Sequence, residues 1–315
     1  MNSLSKFGRS WILFKSSVFI VLKHKKLLLF PVLTLLLTGV ILVFFLTPIA
    51  LQSTGHSYRE YAHWKAVAQT VFVEDSAPVH QGGNTNSSDL HLKPLGMVYA
   101  GGIYFLSMLL ATFFNVAFYH EILKALKGEA VSIRAGLSFA CTKWKPILMW
   151  TLFAGLVGLI IRTLEERLSF IGQWIVGLIG LAWSVASVFV IPVIITEETT
   201  VNPLNMLKSS ALTLKKTWGE SLIGYVGLQF GSLLILLGSV AYFAVAVMAS
   251  IWLNNFWILA VTGFLWLVGI IVFGYVTSVA SQVYRCALFV YASEGTVPEP
   301  YNLELLQMAW KVKKS

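Results

Sequence analysis

Leu207-Lys208-Ser209-Ser210-Ala211-Leu212-Thr213-Leu214-Lys215-Lys216 repeats an earlier segment, Phe14-Lys15-Ser16-Ser17-Val18-Phe19-Ile20-Val21-Leu22-Lys23. Laid on one another, Trp11, Phe14, Val18 and Val21 coincide with Leu204, Leu207, Ala211 and Leu214. Both sets follow the i, i+3, i+7 spacing of one helix face. A weaker copy runs through Ile133, Leu137, Ala140 and Trp144, and the segment from Tyr301 to Lys314 reads as a last one. The lead-ins agree as well: Gly128-Glu129-Ala130-Val131, Glu198-Thr199-Thr200-Val201 and Glu294-Gly295-Thr296-Val297. Self-similarity of this kind is the signature of internal duplication.

Each of the first three copies leads into a pair of long apolar segments. Hydrophobic residues make up 57% of the chain and charged residues 12%, where soluble domains carry about 25% charged. Runs near Leu27–Leu51, Leu95–Ile122, Pro146–Ile161, Ile171–Ile195, Leu222–Trp252 and Phe256–Tyr291 approach or exceed the roughly 20 residues that cross a bilayer core. A membrane β-barrel would need alternating ten-residue segments, and none are seen. The expected fold class is therefore all-α integral membrane, with six transmembrane helices as three parallel amphipathic-helix-plus-hairpin repeats. Leu27–Leu51 is too long for a signal-peptide core and is expected to remain as an anchor.

Orientation follows from the positive charges. With both ends on one side, only Arg59, Lys65, Lys93, Arg162 and Arg167 of the 23 Lys and Arg fall on the far side. The positive-inside rule then predicts an inner (cell) membrane protein, multi-pass, with N- and C-termini cytoplasmic. The net charge of +9 becomes a membrane-surface feature, since basic amphipathic helices lie against anionic headgroups. The expected partners are membrane lipids with anionic headgroups, with protein partners or a homo-oligomer beside them. Nucleic acid is excluded, because no folded basic domain exists to hold it. Cys141 and Cys286 fall on the reducing side, so no disulfide is expected.

The chain 1–315 reads as a single membrane domain. Its repeat units are 1–123, 124–197 and 198–293, followed by a C-terminal amphipathic tail at 294–315. Residues 52–94 form an extracytoplasmic loop with a flexible middle at Gly82–Ser88. Gly224, Gly227, Gly231 and Gly238 in the fifth span, with Gly177 and Gly180 in the fourth, read as close helix packing.

Several strings together resemble a family of bacterial six-span inner-membrane proteins with no assigned function. They are Leu164-Glu165-Glu166-Arg167, Pro192 followed by Glu197-Glu198, Thr217-Trp218-Gly219-Glu220, and Tyr284-Arg285-Cys286-Ala287-Leu288-Phe289-Val290-Tyr291-Ala292. The resemblance covers most of the chain and lapses in the outer loop. The motif of an acidic pair, a basic amphipathic helix and a new span is also loosely similar to membrane domains fused to glycerophosphodiester phosphodiesterases. The resemblance implies a six-span fold and carries no activity with it.

Ionisable groups at membrane depth are the candidate site residues. Arg285 sits near the inner end of the sixth span, beside Gln282 and Tyr284, and needs a carboxylate, a lipid phosphate or water. Glu121 beside His120, and Glu197 or Glu198, are the carboxylates within reach of that level. On the far side, Arg162 and Glu166 have i, i+4 spacing for an outer-side ion pair. His56, His63, His80 and His91 in the outer loop match no compact metal motif. No nucleophile elbow, P-loop, dinucleotide fingerprint or HExxH motif is present. No catalytic residue, metal or cofactor is expected.

The expected function is that of a non-catalytic multi-pass inner-membrane protein, not an enzyme, which organises or assists partners at the cytoplasmic leaflet. The alternative is a transporter or flippase-like handler of a lipid or small amphiphile at the repeat interface.

Overall fold

The computed structural model describes residues 6–74, 90–92, 94–197, 201–216 and 236–301. In chain order these form α1 (Lys6–Lys23), a 3-10 turn (Lys25–Leu28), α2 (Leu29–Ala50), α3 (Tyr61–Val71), β1 (Phe72–Glu74) and β2 (Leu90–Leu92). There follow α4 (Pro94–Leu126), α5 (Ile133–Thr142), α6 (Trp144–Arg167), α7 (Phe170–Ala186), α8 (Val190–Thr196) and α9 (Pro203–Lys216). Last come α10, described from Leu236 to Trp252, and α11 (Phe256–Glu294).

Among the described residues five stretches are long and apolar enough to cross a membrane: Lys25–Ala50, Gly96–Leu126, Trp144–Arg167, Gly172–Thr196 and Phe256–Glu294. Their apolar side chains point outward, with Leu35 and Trp257 about three-quarters exposed. That is the reverse of a water-soluble core and is what a lipid solvent selects. Helices satisfy their own backbone groups there, where water cannot. The chain is a predominantly helical membrane protein, the described residues being almost all helical apart from the short β1–β2 pair. Of the sixth expected span, Leu222–Trp252, the described part is the 17-residue apolar helix α10. Gly224, Gly227 and Gly231 lie outside the described residues, as do Glu198 and 302–315 of the tail.

Two compact units divide the chain, residues 1–31 with 113–315, and residues 32–112. In the larger unit the core gathers around the C-terminal half of α11. Exposed large apolar side chains on α11 stop at Val272, and from Val279 to Ala292 nearly every residue is buried. Phe189 packs on Phe289 with ring centroids 5.7 Å apart, and Phe30 stacks on Phe118 at 5.5 Å. Tyr284 is fully buried. Glycine at positive φ ends two of these helices, Gly128 after α4 and Gly295 after α11, because the left-handed cap costs a residue without Cβ nothing.

The repeated segments form helices α1 and α9, and they bury equivalent positions. Leu13, Ser17 and Val21 are buried on α1, and Met206, Ser210 and Leu214 on α9. The buried line is rotated slightly from the expected apolar stripe, for Leu207 and Ala211 are half-buried and Leu204 is exposed. The reason lies in the polar contacts of the serines. The fourth span breaks between α7 and α8, where Ser210 Oγ donates to Ala186 O at 2.6 Å and accepts the Phe189 N–H at 3.0 Å. A buried backbone break needs such partners, so a small hydroxyl faces inward rather than another apolar residue. Ser17 Oγ likewise donates to Leu13 O at 3.0 Å and meets Tyr301 OH at 2.7 Å. Of the two fourth-span glycines, a Cβ at Gly180 would meet Ile161 of α6 at 3.7 Å, whereas one at Gly177 would meet none of the described residues within 4 Å.

Within residues 52–94, expected as an outer loop, the smaller unit carries regular structure. Residues 61–71 are helical, and β1 pairs antiparallel with β2, Phe72 opposite Leu92. The flexible middle, Gly82–Ser88, lies outside the described residues. His63 is fully buried, with Nε2 2.9 Å from Ala50 O and Nδ1 2.6 Å from Thr54 Oγ1. Tyr58 and Trp64 meet its ring edge to face. An Nε2–H donated to Ala50 and an Nδ1 that accepts the Thr54 hydroxyl use both nitrogens, so this histidine ties α3 to the end of α2. Among the described residues no cluster of three metal-ligating side chains occurs.

Candidate functional site

Two polar stripes on apolar helices face each other near the C-terminal ends of α4 and α11. On α11, Gly274, Thr277, Ser278, Ser281 and Arg285 recur at helical spacing, with Gln282 beside them; on α4, Asn115 and Tyr119 stand one turn apart. Together they line a groove of about 490 Å³, within the 300–1,000 Å³ range of small-molecule sites. Asn115 and Ser278 are exposed at its mouth, while Tyr119 and Ser281 are buried at its base. Ser281 Oγ donates to Thr277 O at 2.9 Å. Thr277 Oγ1 is buried with no hydrogen-bond partner among the described residues. None of the described residues lining the groove is acidic.

The place of the groove along α11 follows from helix geometry. From Phe256 to Ser278 the rise is about 33 Å at 1.5 Å per residue, against a hydrocarbon core of about 30 Å. The helix is thus long enough to cross such a core between exposed Phe256 and Ser278, and the groove lies just past Val272, the last exposed large apolar side chain of α11.

The remaining candidates lie elsewhere. Glu121 is fully buried, and its Oε2 accepts the Ser132 N–H at 2.6 Å. Ser132 in turn caps α5 by accepting the Ala135 N–H at 3.4 Å. Glu121 therefore positions the start of α5, where a carboxylate also suits the helix dipole, and it is not brought to Arg285. His120 stacks on Phe139 of α5, ring centroids 3.8 Å apart. Glu197 offers its backbone carbonyl to Lys143 Nζ at 3.0 Å. On the opposite hairpin, Arg162 Nε donates to Glu166 Oε1 at 2.9 Å on an open surface, where such a pair is worth about 0.3–0.5 kcal/mol.

Asn115, Tyr119, Thr277, Ser278 and Ser281 escaped the sequence reading. Their signal was there, as i, i+4 polar pairs inside otherwise apolar helices, but serine and threonine also bond back to their own helix and read as neutral.

Residues 95–298 match the model of a family of unknown function, DUF6159. The chain belongs to this family. The match contains both walls of the groove and begins after the outer loop. It leaves out α1 and α2 as well as the loop, so it is narrower than the resemblance drawn from the sequence. No curated protein and no solved structure shows significant similarity to the chain.

Proposed function

We propose that this DUF6159 protein is a non-catalytic multi-pass protein of the bacterial inner membrane that organises partners and anionic lipid at the cytoplasmic leaflet. In this reading six spans form three parallel repeats, 1–123, 124–197 and 198–293, with both termini cytoplasmic. One observation carries it. The faces of α1 and α9 opposite their buried lines are equivalent: Lys15, Phe19 and Lys23 on one, Lys208, Leu212 and Lys216 on the other, all exposed. Lysines flanking an exposed apolar residue suit a headgroup layer, where the stems lie along lipid and the ammonium groups meet phosphate. Near an anionic surface each such lysine contributes about 1 kcal/mol. A second copy or another membrane protein would meet the same faces.

The test is lipid composition around the protein extracted in polymer nanodiscs. Phosphatidylglycerol should be enriched over bulk membrane, and Lys15→Glu with Lys208→Glu and Lys216→Glu should abolish the enrichment. Unchanged enrichment rejects the reading. For orientation, cysteines placed at Ser3, Thr217 and Ser315 should resist impermeant thiol reagents while one at Ser87 labels. Labelling at Ser315 but not Ser3 would defeat the even number of spans.

A second reading, a handler of a lipid or small amphiphile, is favoured by the polar groove at Arg285.

A further inference from the structure

We infer that α3 is an interfacial helix, seated in the headgroup layer of the membrane at the C-terminal end of α2, with Tyr61, Trp64 and Ala68 turned to the lipid. The partner of this surface is the bilayer itself. The inference is independent of the role proposed at the cytoplasmic leaflet, since it concerns the other end of α2.

Three observations converge. The first is attachment. α2 closes the apolar span Lys25–Ala50. His63, in the first turn of α3, places Nε2 2.9 Å from Ala50 O and Nδ1 2.6 Å from Thr54 Oγ1. The start of α3 is therefore fixed to the last residue of a membrane-crossing helix. Exposed large apolar side chains run along α2 through Phe44 and Leu46 and continue to Leu51 just beyond it. The lipid-facing surface thus extends to the level at which α3 attaches.

The second is the pattern on α3. His63 and Val67 are buried. Tyr61, Trp64 and Ala68 stand at i, i+3 and i+7 as an apolar stripe, while Lys65 and Gln69 form a polar line beside it, and all five are exposed. A helix surrounded by water gains nothing by sorting its exposed side chains in this way. A helix lying in an interface does, because one flank meets acyl chains and the other meets water.

The third is the chemistry of the rings. Tyrosine and tryptophan gather where hydrocarbon gives way to headgroups, since each joins an apolar ring to one polar atom. Tyr61 is 81% exposed and Trp64 48%. Trp64 Nε1 donates to Tyr58 O at 2.9 Å, so its polar atom is satisfied within the protein and its exposed half is hydrocarbon. Tyr58 and Trp64 both meet the His63 ring edge to face, which fixes the indole before lipid arrives. α3 has no acidic residue, and the Lys65 stem is long enough to carry its ammonium to phosphate. Glu60, just before the helix, lies 3.8 Å from His56. A second copy or another protein could cover an apolar stripe, but continuity with the lipid-facing surface of α2 favours the bilayer.

The experiment uses the full chain in vesicles of phosphatidylcholine and phosphatidylglycerol, with nitroxide labels on single introduced cysteines. Cys141→Ser removes the exposed native thiol, and Cys286 is buried. Labels are placed by Tyr61→Cys, Ala68→Cys, Lys65→Cys and Gln69→Cys, and collisions with oxygen are compared with collisions with a water-soluble nickel chelate. Oxygen concentrates in lipid, so the oxygen-to-chelate ratio at Tyr61→Cys and Ala68→Cys should exceed that at Lys65→Cys and Gln69→Cys severalfold. It should correspond to a depth of about 5–10 Å. Ala68→Cys is a small change at an exposed position and decides the matter if Tyr61→Cys disturbs the fold. High chelate access at all four sites would place α3 in water and overturn the inference. Protection from both reagents at Ala68→Cys would overturn it as well, by showing that a second copy or another protein covers the stripe.

Discussion

The hydroxyls of Ser17 and Tyr301 meet at 2.7 Å across 284 positions of sequence, both residues buried. Ser17 gives its only hydrogen to Leu13 O, so Tyr301 is the donor in this pair. Burial pushes the Tyr301 phenol well above its ordinary range, which keeps that proton in place. Ser210, at the equivalent position on α9, bonds instead to the break between α7 and α8. The serine thus receives Tyr301, beyond the end of α11, on α1 and the preceding span on α9.

The Ser17–Tyr301 pair should be measurable as a coupling. Ser17→Ala and Tyr301→Phe should each lower stability by about 1 kcal/mol, and the double variant should cost less than their sum. Thermal unfolding in detergent would show it, and strict additivity would mean that the two hydroxyls do not support one another.

Ser210 holds two backbone groups at once, and both would be stranded by Ser210→Ala. The expected loss is about 2 kcal/mol, larger than for Ser17→Ala, because a stranded buried group costs its full desolvation. Hydrogen exchange at the Phe189 amide should rise in the variant; unchanged protection would show that the break has another support.

At the start of α5, Glu121→Ala should cost about 2 kcal/mol through the lost Ser132 bond, and Glu121→Gln much less, since an acceptor remains. Gly136→Ala tests the same junction by sterics. A Cβ there would lie 2.9 Å from both Ala117 O and Glu121 Cγ, and the backbone oxygen has no room to retreat, so about 1–3 kcal/mol should be lost. Melting temperatures of the three variants decide it, and a neutral Gly136→Ala would disprove this packing.

His63 should matter for folding and not for metal. His63→Ala removes the tie between α3 and the end of α2, at a cost of about 2 kcal/mol. Added zinc should leave the wild-type melting temperature unchanged, and a rise that depends on His63 would contradict the assignment.

His24 supplies a pH dependence. Burial, and then the neighbouring Lys23 charge, lower its pKa below the ordinary value. The neutral form is therefore favoured on folding, and the unfolded chain takes up the proton first as pH falls. Its contribution is fully present above about pH 6.5, the ordinary histidine value, and declines as pH drops through the lower folded value. Comparison of wild type with His24→Asn at pH 7.5 and 5.5 should show the wild type losing more stability on acidification; identical losses would assign the effect elsewhere.

Membrane class and helical secondary structure were legible in the sequence, because each depends on local composition and period. A run such as Leu27–Leu51 must be helical in lipid whatever surrounds it, since no other conformation satisfies its own backbone. The segment Leu207–Lys216 carries its helix in the spacing of its apolar residues. Which side of that helix is buried was decided by the tertiary structure. Apolar periodicity pointed to Leu204, Leu207, Ala211 and Leu214, but the break at Ser187–Phe189 needed a hydroxyl, and the helix turned to present Ser210. The groove is the clearest case. Arg285 stood out alone because a charge in an apolar helix is conspicuous, yet Asn115 and Tyr119 join Thr277, Ser278 and Ser281 only through the rotation of two helices far apart in sequence. Lipid chains are as apolar as leucine, so hydropathy says that a helix crosses the membrane and not which of its faces meets a neighbour. That choice is made by packing and by the few buried hydrogen bonds, and it is settled only in three dimensions.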